Sequence, residues 1–210
     1  PTSGQLLSSP TYLERQFVSI GNPQLKPYWN GSITLYLLYF GKNDNYINLS
    51  YAPSYSRRPF ATTLYMKDGM AYSQPQEISD VVKHQMSLTG SWHPFPWLEL
   101  APYLEYYHTS YSTLQQHVCL PYFRYGGGIT FPLKSWNLGI YANSPTKEAE
   151  GDLIEHGSAQ YAAKLLYKYK KWSFGMEWHY SGHNEYTSGK VKDFNYKKTT
   201  EWKPLHSLVL

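Results

Sequence analysis

Cysteine is nearly missing from this 210-residue sequence, which contains Cys119 alone. An internal disulfide and a thiolate metal cluster are both excluded, so strand pairing and packing must hold the fold. Cys119 falls inside a strand pattern and reads as a small buried or lipid-facing apolar side chain. Charge is scarce too, at 16% of residues, and the net charge of +4 is spread over turns among acidic neighbours. So weak a basic footprint gives no reason to expect nucleic acid as a partner. No apolar run approaches the roughly 18 residues that a helical membrane span needs. The opening decapeptide PTSGQLLSSP is polar and turn-like, with no charged and apolar leader. The chain is therefore expected to be a mature form or an internal piece of something longer.

Aromatic residues are plentiful, at 18% with 22 tyrosines, and their spacing carries the fold. In the stretch from Trp172 to Gly182, Trp172, Phe174, Met176, Trp178 and Tyr180 alternate with Ser173, Gly175, Glu177, His179 and Ser181. A period of two with one apolar and one polar face is a β-strand, and helical spacing would scatter these aromatics. Eleven residues at about 3.3 Å each reach roughly 36 Å, about twice an ordinary globular strand. Length, an apolar face rich in aromatics and a polar opposite face match the wall of a membrane barrel. The negative mean hydropathy of −0.54 does not oppose this, because alternation averages the apolar face away.

The same alternation recurs along the chain. Trp29, Ile33, Leu35, Leu37 and Tyr39 share a face, and after the turn Lys42–Asn45 a return strand carries Ile47, Leu49, Tyr51, Pro53 and Tyr55. Between 57 and 80 the pattern weakens, and Asp68-Gly69 marks a small extra hairpin near 60–75. Further strands set out Val82, Met86, Leu88 and Trp92, then Leu98, Leu100, Pro102, Leu104 and Tyr106, then Cys119 to Phe131. Trp136, Leu138, Ile140 and Ala142 follow, then Ala159 to Tyr167, then the Trp172 strand, and a last strand stops at Leu210. About eight main strands and a truncated ninth result. Turns near 42, 94, 132 and 169 are short; connections near 57–80, 112–117, 143–157 and 183–198 are longer and polar. Short and long ends alternate, as in barrels with short periplasmic turns and long external loops.

The expected fold is all-β: an antiparallel up-and-down meander of long strands, part of a transmembrane β-barrel. Residues 1–27 form a lead-in strand end and turn, and 28–210 the partial barrel. If the polar faces lined a dry core, Glu99, Glu105, Arg124, Lys164 and Glu177 would each need buried partners at several kcal/mol. A wet or plugged lumen removes that cost. Two sheets packed apolar face to apolar face in water, a soluble glycan-binding sandwich, also satisfy every residue. A complete small barrel with an adhesive, structural or enzymatic role is the other alternative.

Gly21-Asn22-Pro23-Gln24-Leu25-Lys26-Pro27, followed at once by a long alternating strand, resembles the GNP-x-L-K-P element of barrels in the TonB-dependent receptor superfamily. It is most similar to outer-membrane β-barrel proteins of Bacteroidetes-type bacteria. The likeness extends from about Leu13 onward through Tyr125-Gly126-Gly127-Gly128, Asn143-Ser144-Pro145 and Lys171-Trp172-Ser173-Phe174-Gly175. It implies the C-terminal part of a receptor barrel in the bacterial outer membrane. It also implies uptake of a nutrient such as a glycan, peptide or metal chelate. The implied partners are outer-membrane lipid, an N-terminal plug and the TonB complex acting through the parent protein. Neither a plug nor a coupling box lies in these residues.

Chemistry-bearing clusters are sparse. His179, His183 and Glu185 lie at and beyond a strand end and do not converge as a helical i, i+4 ligand pair would. Glu99 and Glu105 share a face with Tyr103 and Tyr107, but about 20 Å of strand separates them, against the ~5–9 Å of glycoside hydrolysis. Gly126-Gly127-Gly128 sits mid-strand with no helix after it, so it reads as a bend or a close backbone approach rather than a phosphate cradle. No triad order, phosphate loop or dinucleotide fingerprint is present. No enzyme activity, metal or cofactor is expected. Tyr106, Tyr107, Tyr111, Tyr141, Trp178, Tyr180 and Trp202 are assigned mainly to interface girdles, with stacking on a ligand from the lumen as the alternative.

Overall fold

The computed structural model describes residues 10–14, 17–182, 185–191, 194–200 and 207–209. In chain order its strands are β1 (Thr11–Glu14), β2 (Phe17–Ser19), β3 (Trp29–Ser32), β4 (Leu35–Phe40), β5 (Tyr46–Arg57), β6 (Phe60–Lys67), β7 (Met70–Glu77), β8 (Val81–Phe95) and β9 (Leu98–Ser112). They continue with β10 (His117–Leu133), β11 (Trp136–Asn143), β12 (Lys147–Glu150), β13 (Leu153–His156), β14 (Gln160–Tyr169), β15 (Trp172–Ser181), β16 (Glu185–Val191), β17 (Phe194–Thr200) and β18 (Ser207–Val209). The alternating segments pair with their chain neighbours into one 10-stranded sheet, ordered β18-β15-β14-β11-β10-β9-β8-β5-β3, with β4 also on β5. β3 and β4 are two halves of one descending strand, both paired with β5, and Ile33 N donates to Pro53 O at the break, over 3.2 Å.

Register fixes which way every side chain points. Phe123 stands opposite Tyr106, Ile129 opposite Leu100 and Ile140, Leu138 opposite Leu165, and Met176 opposite Leu165. These residues make a continuous outward stripe, and its members are exposed: Phe123 by 61%, Ile140 by 51%, Phe174 by 59%. The sandwich alternative is thereby overturned, since among the described residues no second sheet covers the apolar face. Phe123 and Leu133 lie ten residues apart in β10, about 33 Å along the strand. At a tilt of roughly 45° that is about 24 Å of height, the thickness of an outer-membrane apolar band.

The buried core lies at the mouth instead of in the wall. A layer of two further sheets, β1-β2-β7-β6 and β12-β13-β16-β17, is built from the lead-in strands β1 and β2 and from the long connections. Ala61, Ile78, Val81, Tyr111, Val118 and Leu120 are buried between that layer and the upper ends of the wall strands, with Ala149 and Ile154 packed against them. Segments 143–157 and 183–198, read from sequence as polar loops, thus contain hairpins. Their charges hide the pattern, while ladder hydrogen bonds across β12, β13, β16 and β17 satisfy the backbone. Two smaller differences stand out. The turn expected at Pro94 is Pro96-Trp97, because β8 continues through a register irregularity to Phe95. The β9–β10 connection is a compact turn over 113–116, tightened by Thr113 Oγ1, which accepts from the amides of Gln115 and Gln116. A further departure from a purely antiparallel plan is the parallel pairing of β2 with β7.

Candidate functional site

The inward face of the wall has its own chemistry. Tyr103, Gly128, Tyr141, Asn143, Ala162, Glu177, His179 and Ser181 fall on the inward register positions of β9, β10, β11, β14 and β15. With Ala101 and Gln160 they line a concave cavity of about 620 Å³, within the range of small-molecule sites. Tyr141 is seated there by two glycines: a Cβ at Gly128 would lie 2.5 Å from its Cδ1, and one at Gly139 2.8 Å from its Cε2. The missing side chains leave room for the ring to lie along the sheet, an aromatic covering adjacent glycines. Tyr103 donates from its hydroxyl to Asn143 Oδ1 over 3.0 Å, and the Arg124 guanidinium stands 5.7 Å from the centre of the Tyr103 ring.

Of the lumen charges expected to need partners, Glu105, Arg124, Lys164 and Glu177 have them across the strands, and His179 joins Glu177 from the same strand. Arg124 Nη1 lies 3.6 Å from Glu105 Oε2, Lys164 Nζ 3.8 Å from Glu177 Oε2, and His179 Nε2 3.2 Å from Glu177 Oε1. Each Lys or Arg faces its carboxylate in register, Arg124 opposite Glu105 and Lys164 opposite Glu177. Cross-strand opposite charges of this kind stabilise a sheet while keeping its lumen polar.

The residues singled out from sequence scatter over this frame. His179 pairs with Glu177, Glu185 accepts from buried Ser158 Oγ over 3.0 Å, and His183 lies outside the described residues. Glu99 accepts from Ser91 Oγ over 3.0 Å, away from the Glu105–Arg124 pair. Gly126 is a close backbone approach, since a Cβ there would clash with Ala142 O. The girdle assignment needs correction. Tyr106, Trp178 and Tyr180 face outward, but Tyr107, Tyr111 and Tyr141 occupy inward register positions. Tyr107 stacks on Tyr122 at 4.8 Å between ring centres. Tyr111 is buried under the outer layer and donates to Gly151 O over 2.8 Å. Burial first, then the nearby Asp152 charge, pushes the Tyr111 hydroxyl well above its ordinary range. Trp202 lies outside the described residues. Cys119 is exposed, its Sγ 3.4 Å from His108 Nε2.

Above the cavity the outer layer closes on residues that sequence alone did not single out. Asp152, only 1% exposed, accepts from Leu64 N over 2.9 Å and from Thr113 Oγ1 over 2.6 Å, while its own amide donates to Thr62 O over 2.9 Å. The Gly-Asn-Pro segment docks on the same layer. Asn22 Nδ2 donates to Pro75 O over 3.1 Å, its Oδ1 accepts from Gln24 N, and Ile20 N donates to Ser73 O. At the rim, Tyr55 donates to Asp80, whose other oxygen accepts from Arg58 N; these bonds hold the Asp80 carboxyl below its ordinary value.

The sequence model of the outer membrane protein beta-barrel family matches residues 1–200. The chain belongs to this family. No curated protein and no solved structure matches it. This outer-membrane barrel protein is therefore located in the bacterial outer membrane, its outward stripe facing lipid and its inward face and hairpin layer forming lumen and mouth. Two levels of outward aromatics frame the stripe. Trp136 and Tyr167, with ring centres 4.4 Å apart, lie at the turn end, and Tyr106 with Phe123, at 5.0 Å, lies toward the mouth.

Proposed function

We propose that the chain forms wall, lumen and mouth of a TonB-dependent receptor of the Bacteroidetes type, taking up a nutrient across the outer membrane. The cargo class is a glycan, peptide or metal chelate, and the role is binding and passage, without covalent chemistry. The observation that carries this reading is the lumen cavity beneath a packed outer layer, with an aromatic platform at Tyr141 beside Asn143, Gln160 and Ser181. Concave sites with aromatic surface and a few convergent polar groups suit small cargo. The GNP-x-L-K-P likeness supports the receptor class, and a plug and the TonB complex supply energy through the parent protein. The test uses the parent protein in detergent, titrated calorimetrically with neutral oligosaccharides, short peptides and ferric chelates. Binding of one class, weakened at least tenfold by combined Tyr141→Ala and Asn143→Ala, supports the reading. So does TonB-dependent accumulation of that class by cells. Binding of none, or accumulation indifferent to TonB loss, overturns it.

A further inference from the structure

The short-turn end of the wall is cationic in a way its backbone does not favour. Lys42, Lys134, Lys168, Lys170 and Lys171 are all exposed there, and among the described residues none of them makes an ion pair. Among the described residues the acidic ones at that end are Asp44 and Glu99, and Glu99 is engaged by Ser91. Lys134 and Lys170 each open a two-residue hairpin turn with positive φ, +36° and +53°. Such positions suit glycine or asparagine, and an L side chain with a Cβ is strained in them. Elsewhere in its hairpin turns the chain places asparagine, aspartate or glycine where φ is positive: Asn43 at +58°, Asp44 at +57°, Asp68 at +52°, Gly69 at +74° and Gly151 at +64°. Twice at the periplasmic end, a lysine stands where the other hairpin turns place asparagine, aspartate or glycine.

We infer that Lys134, Lys170 and Lys171, flanked by Lys42 and Lys168, form a rim that binds the phosphate of anionic phospholipids in the inner leaflet of the outer membrane. Position favours lipid over a periplasmic partner. The rim directly continues the lipid-facing stripe, next to outward Trp136, Tyr169 and Trp172, exposed by 48%, 52% and 69%. Lys170 Nζ lies 5.3 Å from the centre of the Tyr169 ring, which holds the ammonium against the lipid side of the wall. A row of such cations at headgroup height attracts anionic surfaces, and salt screens the attraction.

The test places the full chain in nanodiscs of phosphatidylethanolamine with and without phosphatidylglycerol. Thermal unfolding and lipid retention in native mass spectrometry are read for the wild type, for Lys134→Gly with Lys170→Gly, and for Lys134→Arg with Lys170→Arg. Phosphatidylglycerol is expected to raise the wild-type midpoint by several degrees, less at high salt, and to be retained. The glycine pair relieves the turn strain, so it should fold while losing at least half of that rise, and the arginine pair should keep it. Lys171→Gln, at ordinary φ, gives a second readout should the glycine pair not fold, and is expected to lose part of the rise. A wild type indifferent to phosphatidylglycerol overturns the inference. So do a glycine pair or a Lys171→Gln variant that keeps the full rise, and capture by isolated peptidoglycan in place of lipid.

Discussion

Thr113 donates from Oγ1 to Asp152 Oδ1 over 2.6 Å, and that bond fastens the β9–β10 turn of the wall to the β12–β13 turn of the outer layer. The other oxygen of the same carboxylate accepts from Leu64 N in β6. One buried side chain thus ties three connections that are distant in sequence. Asp152→Ala would leave a buried amide and a hydroxyl without their acceptor, at about 1.5–3 kcal/mol for a charged hydrogen bond. The loss should fall on the outer layer as local opening. Limited proteolysis should cut the 57–80 and 143–157 segments faster, while amide exchange in β8, β9 and β10 stays slow. Uniform loosening of the wall would contradict this placement.

Gly126 and Gly175 are both wall glycines, yet they differ in what a methyl would meet. At Gly126 it would clash with Ala142 O, and at Gly175 it would come no closer than 3.5 Å to any neighbour, at Leu166 Cδ1. Gly126→Ala should force β10 and β11 apart and cost at least the ~1–3 kcal/mol of core overpacking. Gly175→Ala should be close to neutral. The fraction that migrates as folded barrel in an unheated gel separates the two, with Gly126→Ala low and Gly175→Ala near wild type.

The wall was legible because alternation is a local property. Trp172, Phe174 and Met176 declare a face without reference to any other strand, and a barrel keeps every such face pointing one way. Tyr141 and Tyr107 were legible in principle as well. Leu138, Ile140 and Ala142 claim the outward positions of β11, and Leu104 and Tyr106 those of β9, which leaves both tyrosines inside. Assigning them to a girdle by residue type overrode that parity. Asp152 was not legible: its partners lie 88 and 39 residues earlier, and nothing short-range marks a carboxylate whose acceptor sites are filled only when hairpins dock. The β12-β13-β16-β17 sheet was hidden for a related reason, since Lys147, Glu148, Glu150 and Glu155 make β12 and β13 look like solvated loop.

Met176 tests the direction of the wall most directly. It is 45% exposed, in the middle of the outward stripe, and an arginine near the bilayer midplane costs about 2–4 kcal/mol. Met176→Arg should lower folding free energy in vesicles by that amount, read from a urea titration. Ser173→Arg, on the inward face of the same strand, should change it by less than about 1 kcal/mol. Equal costs at the two positions would mean that the stripe does not meet lipid.

His156 makes the outer layer sensitive to acid. In β13 it stacks on Tyr186 with ring centres 4.1 Å apart, and its Nε2 lies 3.4 Å from Ser188 Oγ. Lys147 is its cross-strand partner, and Lys197 Nζ sits 4.4 Å from the Tyr186 ring centre. Burial first, and then the charges of Lys147 and Lys197, lowers its pKa from the ordinary 6.5. The folded layer therefore holds this ring neutral at a pH where the unfolded segment takes up a proton. Stability rises with pH wherever the unfolded state binds more protons, so the layer weakens as pH falls through the ordinary histidine value toward the depressed one. Amide exchange in β13 and β16, corrected for its intrinsic pH dependence, should show weaker protection at about pH 5.5 than at about pH 7.5. His156→Gln should remove most of that change, and wall strands should not show it. Protection that strengthens on acidification would require an acidic partner that the stacked pair and its two lysines do not supply.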